Sequence, residues 1–191
     1  MNYLAHLYLA EDSAESILGN FLGDFVKGST LKDYSEGIQK GIQQHRKIDI
    51  FTDAHPVFLE TKQWIHPNNR RYAGIVIDIF YDHFLASQWS NYSGISLNQF
   101  SQQFYKLLED NEKILPERLQ KVVPKITSEN WLMSYLNISG IDQSFKKLSL
   151  RVKRENYLAT AVDDLVKHYP IIESSFINFF PDLIKFNQTL K

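Results

Sequence analysis

The chain has 191 residues, a formal net charge of −1 and no cysteine. Its length fits one domain, 1–191, with a core large enough to fold without disulfides. The lack of cysteine excludes thiol catalysis, thiolate zinc sites and iron–sulfur clusters, and the charge gives no overall attraction to nucleic acid or an anionic membrane. The N-terminal MNYLAHLYLA has no basic leader, and charges interrupt every apolar run before it could span a bilayer. We therefore expect a cytoplasmic protein.

Apolar residues recur at helical spacing along the chain, which predicts an all-α fold. The first predicted helix has five apolar residues at intervals of three and four: Ile17, Leu18, Phe21, Leu22 and Phe25. A second helix should run from about Tyr34 to Asp53, because Pro56 follows where a helix stop is expected. A third is predicted from about Asn69 to Trp89. Later candidates lie near 97–111, 116–122, 128–137, 140–150, 155–168 and 171–189.

The third predicted helix contains two carboxylates among apolar residues. Asp78 and Asp82 are four residues apart and share a face, and His83 follows directly. Apolar residues surround this helix, a pattern typical of a central, buried helix. Uncompensated buried carboxylates cost more than a typical domain stability of about 5–15 kcal/mol can tolerate. The sequence therefore predicts that a divalent cation or an arginine neutralises them.

The second predicted helix carries groups that could complete a metal site. Four of its side chains fall within an arc of about 100°: His45, Arg46, Asp49 and Asp53. Facing helices that bear His and Asp commonly hold metals in helical cores, and these ligands suit Mn²⁺, Fe²⁺, Mg²⁺ or Zn²⁺. Asp24 and His6 also lie among apolar residues. Buried Asp–Arg and Asp–His pairs can be structural cross-links, but the concentration of these groups favours a metal or acid–base site.

Four sequence blocks follow one another along the chain. The first two are NYLAHLYLA and GNFLGDFVKG. The third is a GI dipeptide followed by HRKID and TD.HP, and the fourth is RR.AGI..D...DHFL. Together they resemble the acyl carrier protein phosphodiesterase family over nearly the whole chain, more loosely in the C-terminal third. The resemblance implies an HD-domain-like helical core with additional C-terminal helices. It also implies Mn²⁺-dependent hydrolysis of the phosphodiester that joins 4′-phosphopantetheine to a serine of acyl carrier protein. In the usual HD motif Asp follows His, whereas here Asp82 precedes His83.

The charge pattern and the resemblance together suggest a set of site residues. The expected metal ligands are Asp24, His45, Asp78 and Asp82, with Mn²⁺ as the expected ion. The expected catalytic residues are Asp24, Arg46, Asp49 and His83. His6 and Asp53 are alternates, or groups that support the ligands.

A basic run near the C-terminus suggests how a substrate could dock. Residues 143–154 contain five basic residues and no acid, and Lys147, Arg151 and Arg154 would share one face if the segment is helical. They are predicted to bind the acidic carrier protein, with Arg70 and Arg71 as further substrate-binding candidates; a merely solvated face is the alternative. Two other functions stay open: a metal-dependent phosphohydrolase of nucleotides or other small phosphodiesters, and a non-catalytic helical interaction module, which predicts no bound metal.

Overall fold

The computed structural model describes residues 1–190, in which every regular segment is a helix. The α-helices are α1 Tyr3–Leu9, α2 Ala14–Leu22, α3 Glu36–Ala54, α4 Pro56–Thr61, α5 Ala73–Ser87, α6 Leu97–Asp110, α7 Glu117–Gln120, α8 Val123–Ser128, α9 Ile138–Arg151, α10 Val162–Lys167 and α11 Tyr169–Gln188. Short 3₁₀ helices cover Gly28–Asp33, Lys62–Trp64, Pro67–Tyr72, Trp89–Asn91, Glu112–Ile114, Trp131–Leu136 and Leu158–Thr160. The all-α prediction is confirmed. Within residues 1–190, no helix is both long and apolar enough to cross a membrane.

The α5 helix lies at the centre of the molecule because apolar residues cover most of its surface. From Val76 to Ala86 every side chain except that of Asp78 is buried. The α1, α9 and α11 helices and the Trp131–Leu136 segment all pack against it. The apolar coat is open at the start of the helix, where Ile75 is 42% exposed. The carboxylates of α5 therefore face protein groups that other helices supply.

Glycines bring α2 and α3 into close contact. A Cβ at Gly41 would lie 2.7 Å from the carbonyl oxygen of Ser16 and 2.9 Å from the Cα of Gly19, both closer than side chains tolerate. The pair Gly19 and Gly41 thus sets the distance between the two helices. This packing brings the C-terminal end of α2 against the middle of α3, where His45 lies.

Three predicted segments differ from the observed helices. The helix expected over 69–89 starts as the 3₁₀ helix Pro67–Tyr72 and becomes α-helical only at Ala73. The segment expected over 128–137 is the 3₁₀ helix Trp131–Leu136, preceded by α8, and the segment over 155–168 is split between a 3₁₀ turn and α10. These differences arise because a 3₁₀ helix also places apolar residues three apart, so a short run does not distinguish the two geometries.

Candidate metal centre

The middle of α3 and the N-terminal helix α1 together form a cluster of two histidines and a carboxylate. His6 Nε2 lies 3.1 Å from Asp49 Oδ1, and His45 Nε2 lies 3.1 Å from Asp49 Oδ2. The two imidazole rings stack with their centroids 3.6 Å apart. One potential ligand atom from each residue lies within 4.8 Å of the others. The cluster has the size and donor types of a site for one cation.

The backbone of α2 fixes the orientation of His45. Its Nδ1 donates a hydrogen bond to the carbonyl oxygen of Asn20 at 2.8 Å, so the lone pair of the neutral ring is on Nε2. That nitrogen is buried and, among residues 1–190, has no well-directed hydrogen-bond partner. A carbonyl behind a histidine that presents its other nitrogen is the usual arrangement of a metal ligand. Gly23 makes the approach possible, since a Cβ there would overlap the ring of His45.

The cluster attracts positive charge. Burial alone would lower the pKa of His45, but the carboxylates of Asp24 and Asp49 outweigh it and raise that pKa to about 9. Burial would raise the pKa of Asp49, yet His45 and His6 hold it well below its usual range. Burial lowers the pKa of His6 to about 4. A neutral imidazole beside a second imidazole and ionised carboxylates suits a divalent cation, so these residues fit the implied metal.

Asp24 follows the end of α2 and forms the open side of the cluster. Its Oδ1 lies 3.5 Å from His45 Nε2, and its side chain is 58% exposed. In the sequence Asp24 lies among apolar residues, whereas the structure turns its side chain toward solvent because α2 has ended before it. Asp24 is therefore the most exposed acidic group of the cluster, since the side chain of Asp49 is 37% exposed.

The two carboxylates of α5 are paired by the start of the chain. Asp82 is fully buried and accepts hydrogen bonds from the amides of Leu4 at 2.8 Å and Ala5 at 3.1 Å. Asp78 Oδ1 lies 3.2 Å from the amino group of Met1, which is also 3.2 Å from Asp49 Oδ1. Burial raises the pKa of Asp82 to about 8. Both oxygens of Asp82 thus have α1 amides as partners, without a metal or an arginine, while the ligand roles expected for Asp78 and Asp82 stay predictions.

Three other predicted site residues, Arg46, His83 and Asp53, lie outside this ligand cluster. Arg46 Nη2 donates to the carbonyl oxygen of Val26 at 2.8 Å. His83 lies between the carbonyl oxygen of Tyr135, 2.8 Å from Nδ1, and the hydroxyl of Tyr169, 3.1 Å from Nε2. Asp53, one turn beyond Asp49 on α3, is exposed. The ligand group that the geometry assembles does not contain these residues, and their catalytic or supporting roles stay predictions.

The basic run is only partly helical. The α9 helix ends at Arg151, so the helical spacing that placed Arg154 on the same face does not apply to it. Lys147 Nζ lies 2.7 Å from Glu129, and Lys146 Nζ lies 2.6 Å from Asp142. Acids from outside the run thus partly neutralise it, while Arg151 and Arg154 are exposed.

The other two predicted substrate-binding arginines, Arg70 and Arg71, are exposed on the 3₁₀ helix Pro67–Tyr72. This segment immediately precedes α5, whose first turns carry Asp78. Their substrate-binding role stays a prediction.

Comparison with known proteins identifies the relatives of this chain. A family model described as acyl carrier protein phosphodiesterase matches residues 1–183. The chain belongs to the acyl carrier protein phosphodiesterase family. Proteins with that name from Photorhabdus laumondii, Klebsiella pneumoniae and an Enterobacter species are 32%, 34% and 35% identical to it. The matches cover 97%, 97% and 96% of this chain and 94%, 96% and 96% of those proteins.

The family membership inferred from the four sequence blocks is confirmed. No solved structure matches the chain, so the HD-domain relationship stays a prediction.

Several groups that shape the site in this phosphodiesterase family member could not be singled out from the sequence. The carbonyl of Asn20 and the amides of Leu4 and Ala5 are backbone atoms and leave no residue-type pattern. Gly23 could have been identified from the sequence, since it lies four residues after Gly19 on the face that meets α3.

Tyr3 was also missed, although it lies beside the open side of the cluster. Its ring packs against Trp131 at 4.7 Å and Phe25 at 6.2 Å between centroids. Burial and the charge of Asp24 raise the pKa of Tyr3, while the charges of Arg151 and Arg118 lower it. The hydroxyl of Tyr3 is therefore under the influence of charges of both signs.

Proposed function

We propose that this protein hydrolyses the phosphodiester that links 4′-phosphopantetheine to a serine of holo-acyl carrier protein, in a reaction that requires a divalent cation. The products would be apo-carrier protein and free 4′-phosphopantetheine. The family match over residues 1–183 supports the reaction class and the carrier protein as substrate. The observation that carries the metal requirement is the cluster of His6, His45 and Asp49, in which the buried Nε2 of His45 faces carboxylates.

His6, His45 and Asp49 would hold the cation, with the carboxylate of Asp24 at the open side. Mn²⁺ is the expected ion. A bound divalent cation would supply Lewis acidity toward a phosphoryl oxygen and lower the pKa of a water. The chain's own contribution is to fix the orientation of His45 through the Asn20 carbonyl and to keep both imidazoles buried.

Asp24 is the best candidate for the proton acceptor of the reaction. It is the most exposed carboxylate of the cluster, and it lies within 3.5 Å of His45. A carboxylate in this position can take a proton from an attacking water and pass it to solvent. The hydroxyl of Tyr3, whose pKa the charge of Asp24 helps to raise, is a candidate hydrogen-bond donor to an anionic phosphodiester.

The basic end of α9 is the candidate docking surface for the carrier protein, which is small and acidic. Arg151 and Arg154 are exposed there, and Leu150, which directly precedes Arg151, is 88% exposed. Positive charges around one apolar side chain match an acidic partner that also offers apolar contact.

The direct test is hydrolysis of purified holo-carrier protein by protein from which metal has been removed. Mass spectrometry of the carrier should detect loss of the 4′-phosphopantetheine arm when Mn²⁺ is added and none in excess chelator. A small nucleotide phosphodiester serves as the control substrate. Intact carrier in the presence of Mn²⁺ alongside rapid cleavage of the small substrate would favour a general phosphodiesterase. Absence of both metal binding and hydrolysis would favour an interaction module.

A further inference from the structure

The hydrogen bonds of Asp82 link the centre of the fold to the helix that carries His6. Asp82 is 0% exposed and lies in the middle of α5. Its Oδ2 accepts from Leu4 N at 2.8 Å and its Oδ1 from Ala5 N at 3.1 Å, a connection that spans 78 and 77 residues of sequence. The two amides belong to the first turn of α1. A single side chain thus accepts from two consecutive amides of another helix.

The α1 helix needs such a connection. It has seven residues, and the side chain of its N-cap residue, Asn2, makes no capping hydrogen bond. Helices of this length are unstable on their own, and the first-turn amides of any helix need acceptors. The two oxygens of a carboxyl group at the N-terminal end of the helix can supply these acceptors. Asp82 therefore acts as the missing cap, although it comes from a different helix.

The cap lies next to the metal cluster. Leu4 and Ala5 directly precede His6, whose Nε2 lies 3.0 Å from the carbonyl oxygen of Met1 and 3.1 Å from Asp49 Oδ1. A ligand constellation works only when its members keep their positions to within about 0.5 Å. Any slip of the first turn of α1 along α5 would move the imidazole of His6 away from His45 and Asp49.

We infer that Asp82 is a positioning residue, which holds the first turn of α1 on α5 so that His6 stays in register with His45 and Asp49. The inference rests on the proposed function, because the position of His6 relative to His45 and Asp49 matters only if these residues bind a cation. It replaces the expectation that Asp82 is itself a ligand, because both of its oxygens already accept from amides. Asp82 acts on the reaction through α1 and does not touch the substrate.

The first measurement compares Asp82→Asn with the wild-type protein by calorimetric titration of Mn²⁺. Asparagine keeps the shape of the side chain but points an NH₂ group at one of the two amides, so one bond becomes a clash of donors. Loss of a group that orients a ligand typically lowers metal affinity about 10–100-fold, and we expect a loss in that range. In steady-state kinetics, kcat should fall while KM for holo-carrier protein changes less than about twofold, since the candidate docking surface for the carrier protein lies at the end of α9.

Asp164→Asn is the matched control. Asp164 is also buried, at 8% exposure, and its Oδ2 accepts from the amide of His66 at 3.0 Å. Its substitution costs a buried carboxylate–amide bond without altering α1, so Mn²⁺ affinity should be that of the wild type. Equal Mn²⁺ affinity in wild type and Asp82→Asn would overturn the inference. A wild-type protein that binds Mn²⁺ but leaves holo-carrier intact would instead count against the proposed reaction.

Amide hydrogen exchange in the metal-free protein distinguishes the two possible roles of Asp82, which are to anchor α1 and to bind the metal. The wild-type part of this measurement does not require the variant to fold. In the wild type, the amides of Leu4 and Ala5 should exchange as slowly as those of α5, because they are bonded to its core. Exchange as fast as that of a fraying terminus would overturn the inference. In Asp82→Asn, where folded, this protection should be lost. Reduced Mn²⁺ affinity with unchanged protection would make Asp82 a ligand and equally overturn it.

Discussion

Asp49 is the carboxylate on which the cluster converges. One of its oxygens lies 3.1 Å from His6 and 3.2 Å from the Met1 amino group, and the other lies 3.1 Å from His45. Asp53, one turn later on the same helix, is exposed. The two residues have the same chemistry and nearly the same helical face, so they form a natural pair for separating a role in the site from surface charge.

We expect Asp49→Asn to abolish Mn²⁺ binding and to lower kcat by at least about 100-fold, because the cation loses its ionised ligand. Asp53→Asn should leave both quantities within twofold of the wild type. Metal titration and steady-state hydrolysis of holo-carrier protein measure the two effects. Equal losses in the two variants would mean that α3 contributes general negative charge and that Asp49 has no specific role.

At the scale of elements, the contact between α2 and α3 determines where His45 lies. Gly19 and Gly41 let the backbones approach, and Gly23 leaves room for the imidazole itself. Its φ of −50° is ordinary helical backbone, so alanine at this position would be strained only by the ring it meets. The substitution Gly23→Ala therefore tests only the packing of this position against the ring of His45.

Gly23→Ala should displace His45, lower Mn²⁺ affinity about tenfold or more, and destabilise the fold by about 1–3 kcal/mol through overpacking. Gly74→Ala is the control, because a Cβ there meets nothing within 4 Å. It should stabilise α5 by about 0.4–1 kcal/mol and leave metal affinity unchanged. Denaturant unfolding and metal titration supply both numbers. A neutral Gly23→Ala would refute the close approach of His45 to α2.

The same elements indicate what the sequence could and could not predict. The α3, α6 and α11 helices were located to within about two residues because their apolar spacing is sustained over 14 to 20 residues. His45 and Asp49 could be paired because both lie on one helix face. The amide partners of Asp82 could not be found, because backbone groups 77 and 78 residues away carry no pattern that links them to a carboxylate.

For the whole molecule, the site joins segments from distant parts of the sequence. Residues from α1, the end of α2, α3 and α5 meet there, so a bound cation would cross-link most of the N-terminal half. A ligand that binds only the folded state stabilises it by about 2.7 kcal/mol at a concentration 100 times its dissociation constant. The unfolded chain cannot assemble this ligand set, so binding should register as global stability.

Mn²⁺ at that concentration should therefore raise Tm by roughly 5–11 °C, since 1 kcal/mol corresponds to about 2–4 °C in a protein of this size. Excess chelator should reverse the rise. Differential scanning calorimetry of metal-free protein over a series of Mn²⁺ concentrations is the measurement, and Asp49→Asn is the control that should not respond. An identical rise in that variant would place the bound cation elsewhere.

Docking of the carrier protein is also a property of the whole surface. The basic run contributes Arg151 and Arg154 as exposed charges, while Lys147 is already paired with Glu129. Charges at the rim of an interface mainly raise the association rate, and salt screens them. Their effect should therefore appear in KM, grow at low ionic strength and vanish for a substrate too small to reach them.

Reversal of Lys147, Arg151 and Arg154 to Glu should raise KM for holo-carrier protein about tenfold at low salt and much less at high salt, because an acidic partner is then repelled. The control reverses three scattered exposed lysines, Lys32, Lys106 and Lys167, and changes net charge equally. Steady-state kinetics of both variants, at two salt concentrations, separate local docking from overall charge. Turnover of a small phosphodiester should be unchanged in the first variant. If both triple variants raise KM equally, the run is a solvated face and docking must involve another surface, such as that around Arg70 and Arg71.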